Sequence, residues 1–555
     1  MSLMGSLYTG VSGLQTANNA LNTTAHNMSN LDTVGYTRQQ VTQGTRPYVT
    51  ISQSGPNWKQ IGLGVKYTLT RQERDAILDR NYRRESGRSA FYDISATTME
   101  EVEYILGESQ SGGSIEGHEF SVALDNFWEA VQELSKDPTT SVNQNLFVTR
   151  AYEFTTKAAA VYKSLCQYQD NLNQSVVKEV TNINKYAHEI EELNRKIVST
   201  EAGVEHANDL RDRRNYLLDQ LGKMGNITYS EDITGYVSVR FEDVDLVKGG
   251  LVNDVELFTD PTTGFYTPYW RMLASAEYNE KGERIVTADG IKNAKVFDLN
   301  RKISSDLNTD IGSLKGILLA RGDHRATYKE LKDYPPDADP NDPSQKVDGW
   351  YNRNVSQSIV MNIQAEFDQL INAVATTINN ILAEASENAK ELGYPNYLRD
   401  ENGNPYQLFT KIIDEEDWTV ANISINQELR QNPSLLTFRL DEHSEDKATM
   451  EKLKAAFSAK IYTLNPNVQT PLCFQDYYKN LVGQVANGGS VFRGVQATQT
   501  QTTDMLLNAR EQVVGVSSDE ELTYMIRFQN AYNASSRYIN VISEMLEHIL
   551  TTLGR

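Results

Sequence analysis

Both ends of this 555-residue chain carry one apolar stripe at helical spacing, and an amphipathic helix is stable only when its stripe is buried against a partner. At the start, Leu7, Val11, Leu14, Asn18, Leu21, Ala25 and Met28 recur at alternating spacings of four and three. At the end, Met525, Phe528, Tyr532, Ser535, Ile539, Ile542, Leu546, Ile549 and Leu553 do the same. Ser518-Asp519-Glu520-Glu521 precedes that second stripe and places acidic residues in a first helical turn, where the helix dipole favours them. Each large apolar side chain left in water forgoes about 1.5–3 kcal/mol of burial. The simplest resolution packs the two ends on each other, and then the pair on further copies of the chain.

Proline placement divides what lies between. None of the fourteen prolines falls before Pro47, between Pro138 and Pro261, or after Pro471, and the proline-free stretches are free to be helical. From about Asn143 to Lys223 the positions Leu165, Leu172, Val176, Val180, Ile183, Ile190 and Ile197 keep helical spacing, with a break at Ala202-Gly203 and a restart at Asn208. Val355 to Glu391 repeats the pattern through Ile359, Ile363, Phe367, Leu370, Val374, Ile378 and Leu382. From about Ile227 the texture changes to short alternating runs such as Tyr236-Val237-Ser238-Val239-Arg240-Phe241, punctuated by Gly, Asp and Thr. The expected fold is mainly α with inserted β structure: an elongated multi-domain chain, its terminal helices paired as a coiled coil, with a long helical bundle and a β-rich insertion. The expected divisions are a terminal helix and loop over 1–38 and a first bundle part over 39–228, β-rich near 39–72. A β-rich insertion follows over 229–354, then a returning bundle over 355–514, mixed at 394–471, and a last helix over 515–555.

The net charge of −21 disfavours a nucleic-acid partner. The most basic stretch, Arg71 to Arg88, interleaves Arg80, Arg83 and Arg84 with Asp75, Asp79 and Glu85, and reads as a solvated helix face. No apolar run approaches the eighteen or so residues of a membrane span. Met1-Ser2-Leu3-Met4-Gly5 opens no signal peptide, so any export is expected without a cleaved leader. The seven histidines form no HExxH motif and none stands near a cysteine at zinc spacing. Nucleophile-elbow, phosphate-loop and dinucleotide fingerprints are absent. Asp337, Asp339, Asn341 and Asp342 alternate like calcium ligands, but lack the sixth-position glycine and twelfth-position glutamate of a calcium loop. Cys166 and Cys473 allow at most one disulfide, and Cys166 reads as a buried, inert thiol. No catalytic residue, metal or cofactor is expected.

After the first stripe comes Thr24-Ala25-His26-Asn27-Met28-Ser29-Asn30-Leu31-Asp32-Thr33-Val34-Gly35-Tyr36-Thr37-Arg38-Gln39. Asn27 and Asn30 suit the end of a helix, with Asn30 tolerating a left-handed cap. Gly35 permits a positive φ, and Tyr36 serves as a half-buried anchor. This run resembles the N-terminal signature of the flagellar rod, hook and hook-associated axial proteins. Gly515 to Glu521 and Phe528-Gln529-Asn530-Ala531-Tyr532-Asn533-Ala534-Ser535 resemble that family's C-terminal pattern, and its hook-associated members agree further at Arg71 to Arg84, Phe127 to Pro138, Asn208 to Leu221 and Gly312 to Gly316. The resemblance implies a non-enzymatic subunit of the bacterial flagellum at the junction of hook and filament, outside the cell, exported by the flagellar type III apparatus. Implied partners are a ring of identical subunits, the hook protein, a second junction protein and an export chaperone on the C-terminal helix. Assembly contacts then fall on Leu7, Val11, Leu14, Leu21 and Met28, and on Phe528, Tyr532, Ile539, Ile542 and Leu546, with Asn27, Asn30, Thr33, Gly35 and Tyr36 as the signature loop. The alternatives are a hook or rod subunit, or a secreted enzyme carried on such a scaffold with its site in the insertion.

Overall fold

The computed structural model describes residues 3–54, 57–107, 119–203, 206–278, 281–282, 284–336, 338, 349–441 and 444–553. Asp337, Asp339, Asn341 and Asp342 lie outside them, as do His118 and His443. The helices are α1 (Leu3–Ser29), α2 (Ala76–Ile105), α3 (Glu119–Lys136), α4 (Ser141–Glu201), α5 (Asn208–Met224), α6 (Ala288–Ile291), α7 (Ser313–Arg321), α8 (Trp350–Asn354), α9 (Ile359–Glu391), α10 (Gln427–Gln431), α11 (Lys447–Ser458), α12 (Phe474–Val514) and α13 (Ser518–Leu553). The mainly helical class with small sheets is the one the periodicity predicts, and α4 ends and α5 begins at the expected break.

The chain separates into two contact units. The first comprises 1–89, 181–255 and 499–555, the second 90–180 and 256–498. In the first, β1 (Gln39–Thr45) pairs antiparallel with β4 (Val65–Gln72), and between them β2 (Val49–Ser54) and β3 (Asn57–Ile61) form a hairpin. A four-stranded antiparallel sheet runs in order through β5 (Ile227–Glu231), β6 (Val237–Phe241), β7 (Val244–Lys248) and β8 (Leu251–Val252). Side chains from the helices tie this sheet down. Asn194 of α4 both donates to the Val237 carbonyl and accepts from its N–H, at 2.8 and 3.2 Å, and Arg214 of α5 donates to the Gly235 carbonyl at 2.7 Å. The stretch 229–354 is therefore shared: its first strands belong with α4 and α5, while residues from Glu256 onward belong to the second unit.

The second unit is built on aromatic packing. Phe127 stacks on Phe147 and Phe154, each at 5.6 Å, and Phe120 meets Phe367 edge-on at 5.0 Å; such pairs add to the area they bury. Within α9, Glu366 and Asp368 are buried without a cationic partner among the hydrogen bonds they accept. Glu366 accepts from the side-chain amides of Asn465 at 2.7 Å, Gln484 at 3.1 Å and Asn362 at 3.2 Å. Asp368 accepts from the backbone N–H groups of Val420 and Tyr328 at 2.6 and 3.0 Å. Burial pushes each carboxyl up to about 7 against those bonds.

The basic stretch corrects its expectation. Arg80 and Arg84 face solvent, but Asp79, Arg83 and Glu85 are buried. Asp79 and Arg83, four residues apart on α2, share one face, and that face meets opposite charges far away in the chain: Arg83 contacts Asp219 of α5 at 2.7 Å, and Arg510 of α12 contacts the same carboxylate at 2.8 Å. Cys166 is half-buried and Cys473 buried, both as free thiols, and burial raises the Cys166 thiol above its ordinary range.

Candidate assembly site: the paired termini and their loop

Helices α1 and α13 pair along their lengths, antiparallel: Gly10 lies by Tyr538 and Ile539, Gly13 by Ser535, and Asn27 by Glu521. The stripes contribute unequally. On α13 the predicted residues face inward, with Ile542 buried and Phe528, Tyr532, Ile539 and Leu546 half-buried. On α1 the buried positions are Gly10, Ser12, Thr16, Ala17, Ala20, Thr24 and Asn27, whereas Leu7, Val11, Leu14, Leu21 and Met28 are only half-buried. A Cβ added at Gly10 would stand 2.8 Å from Ile539 Cγ1, too close for a real contact, so glycine is what admits the large side chains of α13. Size, not hydrophobicity, decides which side of α1 faces its partner. On the outside of α13, Leu522, Ile526, Val541, Met545 and Leu550 remain exposed.

The signature loop closes the end of this pair. Asn30 departs from the left-handed cap: it is not among the residues of positive φ, and its Nδ2 instead donates to the His26 carbonyl at 3.0 Å. Thr33 donates from its hydroxyl to Asn30 Oδ1 at 3.2 Å. Gly35 takes φ +82°, as a turn there requires. Tyr36 is half-buried, edge-on to His26 at 5.6 Å, and donates its hydroxyl to Asn27 Oδ1 at 2.8 Å. Asn27 is the hub. Its oxygen also accepts from the Gln39 N–H at 3.1 Å, and its Nδ2 donates to the Gln39 carbonyl at 2.9 Å and to Glu521 Oε2 at 3.2 Å.

Sequence reasoning did not find the charged half of this site. Glu521, in the first turn of α13, is buried and accepts from Arg38 Nε at 2.9 Å, while Arg38 also reaches Glu520 at 3.0 Å and stands over the Tyr524 ring at 5.5 Å. The residue before Arg38, Thr37, is buried and donates its N–H to Asp212 of α5 at 3.1 Å. Burial pushes the Asp212 carboxyl up to about 6 against the bonds from Thr37. Arg74 grips both oxygens of Asp79 at 3.1 Å and donates to the Thr37 hydroxyl at 3.3 Å. Around Asp219, burial acts to raise the carboxyl, and Arg83 and Arg510 together hold it below its ordinary range. Arg38-Gln39 after Gly35-Tyr36 and the acidic start of α13 were the available signals, but nothing in a linear reading joins residues hundreds of positions apart. Among the described residues no group of three or more His, Cys, Asp or Glu could hold a metal ion, and no helix is long and apolar enough to cross a membrane.

This arrangement joins one chain's two ends and leaves large apolar side chains of α13 exposed. Residues 99–396 match the family described as flagellar hook-associated protein FlgK helical domain. Residues 7–37 match the flagella basal body rod protein family, and residues 512–552 match the flagellar basal body rod FlgEFG protein C-terminal family. Flagellar hook-associated protein 1 of Bacillus subtilis is 26% identical, with 98% of each chain covered. Its namesake in Salmonella typhimurium is 22% identical over 97% of this chain and 98% of its own. The solved flagellar hook junction protein FlgK from Burkholderia pseudomallei superposes with a TM-score of 0.53 at 12% identity, covering 80% of this chain and all of that one.

Proposed function

Since the chain belongs to the flagellar hook-associated protein FlgK helical-domain family, we propose that it is a structural subunit of the flagellum that forms the junction between hook and filament. The observation that carries this reading is the α1–α13 pair, closed by the signature loop and still carrying exposed large apolar side chains on α13. Such a surface asks for further copies of the same pair, and a closed ring of identical subunits supplies them. The hook protein and a second junction protein lie on either side of that ring. Before assembly an export chaperone covers α13 at Phe528, Tyr532, Ile539, Ile542 and Leu546, and the chain is exported to the flagellum. It catalyses no reaction in this role.

The test is a double substitution in the seam. Ile539→Asp and Ile542→Asp place unpaired charges against α1, at a cost of several kcal/mol (about 2–5) per subunit. The cells should make hooks without filaments and lose flagellin to the medium, while labelled antibody finds the unmodified chain at the distal end of isolated hooks. Normal filaments on the double variant would refute the reading.

A further inference from the structure

The apolar seam alone does not say how far α13 slides along α1. Its inner face repeats at spacings of four and three, and the opposing small residues Gly10, Gly13, Ala17, Ala20 and Thr24 repeat likewise. In the observed register, partner residue numbers sum to about 548, from Gly13 beside Ser535 and Asn27 beside Glu521. A slide of about seven residues one way would set Tyr538 and Ile539 beside Ala17, another small residue, though one whose Cβ Ile539 would have to shift to admit. The buried polar cluster at the loop end has no such repeat.

We propose that Glu521, with Asn27 and Arg38 as its donors, is the register-setting residue of the terminal helix pair. Glu521 is 2% exposed and receives one bond from each donor. The slide just described carries its carboxylate past the end of α1, away from Asn27. The opposite slide sets it beside Ala20, buried with no donor. The first forfeits the bond from Asn27 and the second leaves a desolvated charge unpaired, whereas the observed register satisfies it. A single buried polar residue fixes helix pairing in the same way in coiled coils, at some expense of stability. The inference concerns the folded chain by itself and stands whether or not the chain takes the place proposed above.

Disulfide trapping on the purified full-length chain tests it, with Cys166 and Cys473 replaced by Ala. A Cβ at Gly13 would lie 3.7 Å from Ser535 Cβ, the separation a disulfide needs. Gly13→Cys with Ser535→Cys therefore reports the observed register, and Gly13→Cys with Phe528→Cys or Ile542→Cys reports the two shifted ones. With Asn27 and Glu521 intact, the first product should exceed the others at least tenfold. In an Asn27→Leu/Glu521→Leu background of unchanged helicity, the shifted products should rise to within about threefold of it. Continued tenfold dominance of the first product there overturns the proposal. If that background loses its helicity, Glu521→Gln decides: shifted products rising several-fold support the assignment, and an unchanged ratio refutes it.

Discussion

Asp219 sits between two guanidinium groups, Arg83 Nε at 2.7 Å and Arg510 Nη2 at 2.8 Å, in a region where all three side chains are largely out of water. Each arginine is also backed by a ring, Arg83 over Tyr229 and Arg510 over Tyr82, both at 4.5 Å. Ion pairs on a surface contribute little because water screens them, but removing one member of a buried set leaves the others uncompensated. Asp219→Ala should therefore lower the unfolding free energy by about 3–5 kcal/mol, measured by chemical denaturation, and should do so almost independently of salt up to 0.5 M or so, beyond the screening that weakens exposed pairs. Exposed Arg80 supplies the contrast: Arg80→Ala should change stability by less than about 0.5 kcal/mol. Composition could not distinguish Arg80 from Arg83, since both lie in the same short basic run. The difference is made by α5 and α12, which bring Asp219 and Arg510 to one face of α2 only.

Helix α1 is held through small residues, and small residues bury little area. Its contact with α13 should accordingly open more readily than the aromatic core or the interior of α4. Hydrogen exchange on the monomer should be fast over 3–29 and 520–550 and slow over 145–222, and Gly10→Leu, forced against Ile539, should speed the terminal amides at least tenfold without touching α4. Uniform protection of all three segments would contradict this. Much of the element plan was legible in the sequence. The stripe of α13, the break between α4 and α5, and the turn at Gly35 each follow from a local pattern with a local cause. The inner face of α1 was not, because a periodicity scan weights Leu7, Leu14 and Leu21, while facing a partner rich in Phe, Tyr and Ile selects Gly10, Ala17 and Ala20. Helix α12 was visible only as a returning part of the bundle: around Gly488-Gly489 and Gln499 to Thr503 it has no strong stripe. It is held in part by polar anchors such as Gln499 on Glu85 at 2.8 Å. The loop was legible as a helix end and a turn, but its bonds to Glu521 and Asp212 required the folded chain.

Taken over the whole molecule, the buried carboxyls give stability a definite pH dependence. Glu366, ordinarily near 4.5, and Asp368, ordinarily near 3.8, are both raised to about 7 by burial. Their contribution is fully present below their ordinary values and is lost as pH rises through 7. Glu201 runs the other way: hydrogen bonds from Arg211 hold it at about 2, so its contribution is present above about 4.5 and lost as pH falls through 2. The melting temperature should therefore peak in mildly acidic solution and decline toward pH 8. Glu366→Gln, which keeps the shape and removes the charge, should flatten that decline by about 3 kcal/mol; an unaltered alkaline limb would show that Glu366 is not ionising there. The bond between Asn27 and Glu521 joins residues 494 positions apart, and this separation has a consequence in time. Helix α1 is made long before its partner, so while everything between them is synthesised its inner face has no α13 to meet. Closing so long a loop also makes the contact slow to form compared with local structure. A chain broken off anywhere before α13 never forms it. The α1–α13 pair thus marks a chain made through α13, which no shorter product can carry.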